Sequence, residues 1–250
     1  MGLIELRGQT ALITGAARRV GRCIALALAD RGVNIFVHYN RSGDAAESLG
    51  AEIRGRGVEA WPLRGALESP DQIESMWEQA LESSPGRRIS LLVNNASIFP
   101  SDTLRTFERE DLDRSLEINA LAPLRLIRLF AAQQGTGGIV NLLDSRIGGY
   151  MKRHVSYALS KRMLFSLTRM LALELAPRVR VNAVAPGMIL APEGVPGQEL
   201  DRLAARTPLG RWGEPEDVAN AVLFLLESDY VTGQVIFADG GAFMREDLYG

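Results

Sequence analysis

The sequence predicts one α/β domain: a doubly wound parallel sheet of seven strands with helices on both faces. Three observations predict it. Seven short apolar runs alternate with amphipathic stretches of ten or more residues, the pattern of parallel strands joined by right-handed crossovers. The first run leads directly into a glycine-bearing turn and then a helical pattern, as at the nucleotide end of such sheets. At 250 residues the chain has the size of a single domain with a substantial core, and no repeat, low-complexity segment or linker divides residues 1–250.

In chain order, strand one reads as Thr10–Thr14 and runs into Thr14-Gly15-Ala16-Ala17-Arg18-Arg19-Val20-Gly21, with a helix beginning near Arg22. Glycine there lets backbone approach a pyrophosphate, and the helix N-terminus offers free N–H groups and positive dipole. Gly15, Arg19, Val20 and Gly21 are therefore expected cofactor contacts. Strand two, Val33–His38, ends in His38-Tyr39-Asn40-Arg41-Ser42, where a cofactor with a free ribose 2′-hydroxyl would usually meet Asp or Glu. Arg41 and Ser42 suit a 2′-phosphate instead, with Arg19 as a second cation, so the expected cofactor is NADPH over NADH.

Strand three, Val58–Leu63, exits through Gly65-Ala66-Leu67, and Ala66 and Leu67 at this strand end are expected cofactor contacts. Strand four, Ile89–Val93, leads into Asn94-Asn95-Ala96-Ser97. Strand five, Gly138–Leu143, delivers Asp144 at its carboxyl end; strands six and seven read as Val179–Val184 and Val235–Ala238. Ligands in this architecture bind beyond those ends. Residues 186 to about 215 form a long irregular stretch with Pro192, Pro196 and Pro208 among Gly187, Gly194 and Gly197, expected to act as a substrate loop over about 187–214.

Asp144 is followed by Tyr157-Ala158-Leu159-Ser160-Lys161 at the start of an amphipathic stretch. Residues i and i+4 share a helical face, so phenol and ammonium point the same way, and a neighbouring cation stabilises phenolate. Only Lys152 and Lys161 among the 28 basic residues are lysines, which fits a position that needs a compact point charge.

The net charge of -2 leaves no footprint for nucleic acid or an anionic membrane. No apolar run is long enough to span a bilayer, and the N-terminus lacks a basic segment followed by an apolar core, so a cytoplasmic enzyme is expected. Cys23, the single cysteine, sits in an apolar helical pattern and reads as core. With one cysteine and two histidines, no metal-ligand constellation is expected; His154 reads as a cap or surface group.

Thr14-Gly15 through Gly21, Asn94-Asn95-Ala96, Asn119, Tyr157 with Lys161, Pro186-Gly187 and Asp239-Gly240-Gly241 resemble the short-chain dehydrogenase/reductase family, of Rossmann type, across nearly the whole chain. Two departures narrow the resemblance. Arg19 replaces the middle glycine of the usual turn, and Asp144 replaces the usual serine thirteen residues before the tyrosine. Both look like the pteridine reductases and the related dihydromonapterin reductases, as do His38-Tyr39-Asn40-Arg41-Ser42 and Asn95-Ala96-Ser97-Ile98-Phe99-Pro100.

The resemblance implies that Tyr157 is the proton donor, that Lys161 holds the nicotinamide ribose and lowers the phenol pKa, and that Asn119 supports a water-mediated proton path. Asn95, Ala96, Pro186, Gly187 and Ile189 would line the cofactor, and Ser97 would bind cofactor or pterin. Phe99 would lie over the pterin, with Arg19, Gly187, Met188 and Leu190 around it. It departs at Gly65-Ala66-Leu67, where the family places an Asp, and at Met188-Ile189-Leu190-Ala191, which lacks the usual threonine. A homotetramer is implied, with interfaces on helices around 111–133 and 156–175 and the tail after Asp239 near a neighbouring subunit.

An ionised carboxylate can only accept, so aspartate in place of serine disfavours a simple ketone. A pterin ring nitrogen must gain a proton as hydride reaches the adjacent carbon, and Asp144 is expected to work with Tyr157 in delivering it. Ser145, one residue on, is the rival for the serine role. The leading expectation is NADPH-dependent reduction of a pterin or dihydrofolate-like ring. The alternatives are a carbonyl reductase of a 3-oxoacyl or other ketone, and a catalytically weak nucleotide-sensing protein.

Overall fold

Side chains alternate across a strand, and β1 (Thr10–Ile13) shows the result: Leu12 enters one core, Ala11 and Ile13 the other. The computed structural model describes residues 3–189, 204–205 and 207–244. With β2 (Asn34–Tyr39), β3 (Ala60–Arg64), β4 (Leu91–Asn94), β5 (Gly137–Leu142), β6 (Val179–Pro186) and β7 (Val235–Ala238), β1 builds one sheet in the order β3-β2-β1-β4-β5-β6-β7. Every pairing is parallel.

The seven predicted strands are present, with shifted ends. β3 starts two residues late because its pairing with β2 begins at Ile35↔Ala60. β6 runs on to Pro186 because β7 pairs along it as far as Pro186↔Ala238.

The described helices are α1 (Arg19–Asp30), α2 (Gly43–Arg54), α3 (Pro70–Ser83), α4 (Arg109–Leu116), α5 (Ala122–Ala132), α6 (Val155–Leu175) and α7 (Pro215–Glu227). Ile24 and Leu28 of α1, Leu49 of α2 and Val222 of α7 pack on one face of the sheet. Trp77 of α3, Ile127 and Phe130 of α5 and Leu171 of α6 pack on the other. Cys23 is partly buried at the edge of the first core, where burial and the Glu216 carboxylate push its thiol up to about 11. Ser69 caps α3 ahead of a proline in its first turn, and Glu214 and Asp217 form a capping box on α7.

Strand order reverses between β1 and β4, which opens a crevice at their carboxyl ends. Between α4 and α5 the helix widens into a single π turn, Glu117–Leu121. After β7 a short 3₁₀ turn, Ala242–Met244, stacks Phe243 on Phe237 with ring centroids 4.0 Å apart.

Candidate active site

The crevice is held by a network at the strand ends. Thr14 Oγ1 accepts from the N–H groups of Asn95 and Ala96, and Asn95 Nδ2 donates to the carbonyls of Thr14 and Gly15. A Cβ on Gly21 would fall 2.3 Å from the Gly15 carbonyl and 2.6 Å from Asn95 Nδ2, so α1 can seat on the turn only with glycine there. Arg19 opens α1 at φ 52, the left-handed conformation that glycine takes most easily.

His38 is a strut beneath this turn. Its Nδ1 accepts from the Gly15 N–H at 3.0 Å and its Nε2 lies 3.1 Å from the Gly65 carbonyl, which can only accept, so Nε2 carries the proton of a neutral ring. Burial depresses its pKa to about 4, slightly offset by the Gly65 bond. Given as a cofactor contact from the sequence, the His38 side chain is 2% exposed and ties the ends of β1, β2 and β3 together.

Beyond β2 a cavity of about 390 Å³ is lined by Tyr39, Asn40, Arg41 and Ser42 together with Arg18, Arg64 and Asp44. Arg18, not Arg19, supplies the second cation to its lining, and Arg64 a third that the sequence reading missed. The Tyr39↔Arg64 register that brings Arg64 alongside follows from strand order alone. At the end of β3 the Ala66 N–H donates to Gln72, and Leu67 is buried in the core.

Asp144 leaves β5 and caps the 3₁₀ turn Ser145–Ile147, accepting from the Arg146 N–H at 2.9 Å. Arg146 grips the carboxylate as a fork, Nε to Oδ1 at 2.8 Å and Nη2 to Oδ2 at 2.7 Å. The Tyr157 hydroxyl donates to the same Oδ2 at 2.8 Å. Ser145 is buried next to this contact. Lys161, buried, donates from Nζ to the Leu142 carbonyl at 2.7 Å, with Nζ 5.7 Å from the centre of the Tyr157 ring.

The electrostatics follow from this packing. Burial alone would raise Asp144, but the Arg146 fork outweighs it and holds the carboxyl below its ordinary range. Burial and the facing carboxylate raise the Tyr157 phenol well above its usual value. Burial pulls Lys161 down to about 8, with Asp144 opposing. The net direction for the phenol is therefore upward, set by burial and by the carboxylate bonded to its hydroxyl, where the resemblance implied a lowering by Lys161.

Asn119 lies on the π turn, within the helix span. Its Nδ2 donates to Ser160 Oγ and the Ile98 carbonyl, and its Oδ1 accepts from the Ile98 N–H and Ser97 Oγ. Ser160 in turn donates to the Tyr157 carbonyl. The exit of β4 is thereby pinned to α6. The start of α6 is set by Asp102, which accepts from the Ser156 N–H and hydroxyl, and by His154 in the left-handed conformation at φ 61.

Phe99 is 50% exposed and stands edge-on to Tyr157 with centroids 4.6 Å apart. His154 stacks on it at 3.8 Å and donates from Nδ1 to the Pro100 carbonyl, so the histidine read as a cap or surface group does sit at the N-cap position of α6, and its ring also orients the aromatic wall. At the end of β6 the Gly187 N–H donates to the Ala238 carbonyl, and a Cβ there would lie 2.7 Å from Asp239 Cα. The Met188 carbonyl accepts from Gly213, and Ile189 is buried. Leu190 and most of the expected loop lie outside the described residues. Val20 is half-buried in the first turn of α1.

Residues 15–242 match the family model described as enoyl-(acyl carrier protein) reductase. A 3-oxoacyl-[acyl-carrier-protein] reductase FabG of Staphylococcus epidermidis is 35% identical over 246 residues, covering 94% of this chain and 99% of that protein. Among solved structures, FolM alternative dihydrofolate reductase 1 from Brucella canis, complexed with NADP, superposes with a TM-score of 0.90 at 33% identity over 96% of each chain. The promiscuous reductase LugOII, which catalyses keto-reduction at C1 during lugdunomycin biosynthesis, superposes with a TM-score of 0.90 at 32% identity, covering 97% of this chain and 100% of that one. With a seven-stranded sheet of this order and a Tyr157/Lys161 pair on one helix, the chain belongs to the short-chain dehydrogenase/reductase family of NAD(P)-dependent oxidoreductases.

Proposed function

We infer that the chain is an NADPH-dependent reductase of a pterin or dihydrofolate-like ring. One observation carries this reading: the Tyr157 hydroxyl bonds at 2.8 Å to Asp144, an aspartate where the family has a serine. A carboxylate only accepts, so it suits the ring N–H and amino groups of a pterin and gives nothing to a ketone oxygen. The FolM alternative dihydrofolate reductase, similar over nearly the whole chain and complexed with NADP, supports the same substrate class and cofactor.

The residues fit the cofactor. The turn before α1 offers N–H groups to a pyrophosphate, and Arg18, Arg41 and Arg64 line a cavity suited to a 2′-phosphate. Bound NADPH would supply hydride to the ring carbon. Tyr157 gives its hydroxyl proton to the adjacent ring nitrogen, and its raised pKa keeps that proton in place across neutral pH. Asp144 accepts from the substrate's N–H edge, Phe99 offers a flat wall beside the phenol, and Asn119 holds that wall against α6 through Ile98. Lys161, fixed by the Leu142 carbonyl, would hold the nicotinamide ribose of a bound cofactor.

A second reading, reduction of a 3-oxoacyl or other ketone, is favoured by the FabG relative and by LugOII. Oxidation of NADPH with dihydrobiopterin, dihydrofolate and an acetoacetyl thioester in parallel separates the two. Turnover of a pterin and not the thioester supports the first reading, and turnover of the thioester alone supports the second. Cofactor binding with no turnover leaves a nucleotide-sensing protein.

A further inference from the structure

Arg146 belongs to none of the motifs that mark the family in this sequence, yet it holds the carboxylate at the centre of the site through three contacts, two from its guanidinium and one from its backbone N–H. Its guanidinium carbon also lies 5.5 Å from the centre of the Phe99 ring, so one side chain touches both the acid and the aromatic wall. The turn that carries it is fixed from two sides. Arg162 of α6 donates to the carbonyls of Ile147 and Gly149, and Gly148 packs so tightly on Phe243 that a Cβ would fall 2.3 Å from that ring.

We propose that Arg146 is a positioning residue that fixes Asp144 as an acceptor only, and thereby selects substrates presenting N–H groups over those presenting a bare carbonyl oxygen. This deepens the pterin reading and rests on it. Among the described residues, the charged or titratable groups that face Asp144 are Arg146 from its own turn, and Tyr157 and Lys161 from α6. His154 stands one ring further away, behind Phe99. Burial drives the Asp144 carboxyl toward its neutral form, and the Arg146 fork is the largest influence against it. Without the fork, burial prevails and Asp144 takes up a proton at higher pH. A neutral carboxylic acid has an O–H to give to a ketone oxygen, the role a serine hydroxyl would fill.

The test compares wild type with Arg146→Ala and Arg146→Lys, the second keeping the charge and losing the fork. Carbon-13 NMR of aspartate-labelled protein follows the Asp144 carboxyl through a pH titration, its signal assigned by its loss in Asp144→Asn. The Arg146→Ala variant is expected to titrate at least about one unit higher than wild type, and Arg146→Lys in between. In parallel, the ratio of kcat/KM for dihydrobiopterin to that for an acetoacetyl thioester is expected to fall at least about tenfold in Arg146→Ala, with the KM for NADPH little changed. An unmoved titration or an unchanged ratio overturns the proposal, and Arg146→Lys reads both quantities if the alanine variant does not fold. Should wild type reduce no pterin, the pterin reading fails on its own. The titration, and a rise in thioester turnover on losing the fork, then still decide what Arg146 does.

Discussion

Tyr157 and Asp144 share one hydrogen bond, and each side of it has a measurable consequence. Tyr157→Phe removes the hydroxyl proton that the proposed mechanism gives to a ring nitrogen. It is expected to lower kcat by about 10²–10⁴-fold while leaving NADPH affinity nearly unchanged, as read by steady-state kinetics and cofactor fluorescence titration. Asp144→Asn is expected to cost pterin turnover about as much, and Ser145→Ala only a few-fold; the reverse order would move the serine role to Ser145. His38 makes a different prediction. Its pKa is about 4 when folded against 6.5 for a free ring, so between those values the unfolded chain binds the extra proton and folding stability falls as the pH falls. The loss is about 3 kcal/mol by the bottom of that window and absent above it. Denaturant titrations from pH 7 to pH 4 should show it, and His38→Gln, less stable at pH 7, should close the gap to wild type as the pH drops. Asp144, Tyr157 and Lys161 were legible in the sequence because an i,i+4 pair on a helix and a strand-ending acid have fixed geometry. Arg146 was not, because its fork depends on a 3₁₀ turn with no spacing signature, nor was Asp102, whose bond to Ser156 joins residues far apart in the chain.

The strands were the most legible elements, since a buried parallel strand is a plain apolar run and each of the seven produced one. The first turn was less so. The sequence shows two adjacent arginines, but not that Arg19 takes the left-handed conformation and opens α1 while Arg18 lines the cavity with Arg41 and Arg64. Arg18→Ala or Arg41→Ala is therefore expected to raise the KM for NADPH about 10–100-fold and leave that for NADH almost unmoved. The π turn was invisible, because the sequence reading gave the stretch around 111–133 simply as helical, and one extra residue in a turn leaves no apolar signature of its own. It carries Asn119, whose loss takes from Ser160 Oγ the donor it accepts from and from the Ile98 backbone its Asn119 bonds. Asn119→Ala should lower the unfolding free energy by about 1–3 kcal/mol and reduce turnover as well, with circular dichroism melts and kinetics reporting each.

At the scale of the molecule, α6 works on two fronts. Tyr157 and Lys161 are buried near its start, while Met170 and Leu173, 63% and 85% exposed, leave an apolar stretch near its end. That stretch fits the homotetramer implied by the family resemblance. Replacing both residues with glutamate should shift sedimentation to a smaller species if this surface joins subunits, and leave it unmoved otherwise. The other long-range link runs through Phe243, stacked on Phe237 and seated against Gly148. Backbone at that glycine cannot settle closer to the ring while the ring stays where it is. The turn Ala242–Met244 is thus a doorstop for the bend that presents the guanidinium to the acid, and under the role proposed for Arg146 a push on that ring would be felt as a change in which molecules get reduced.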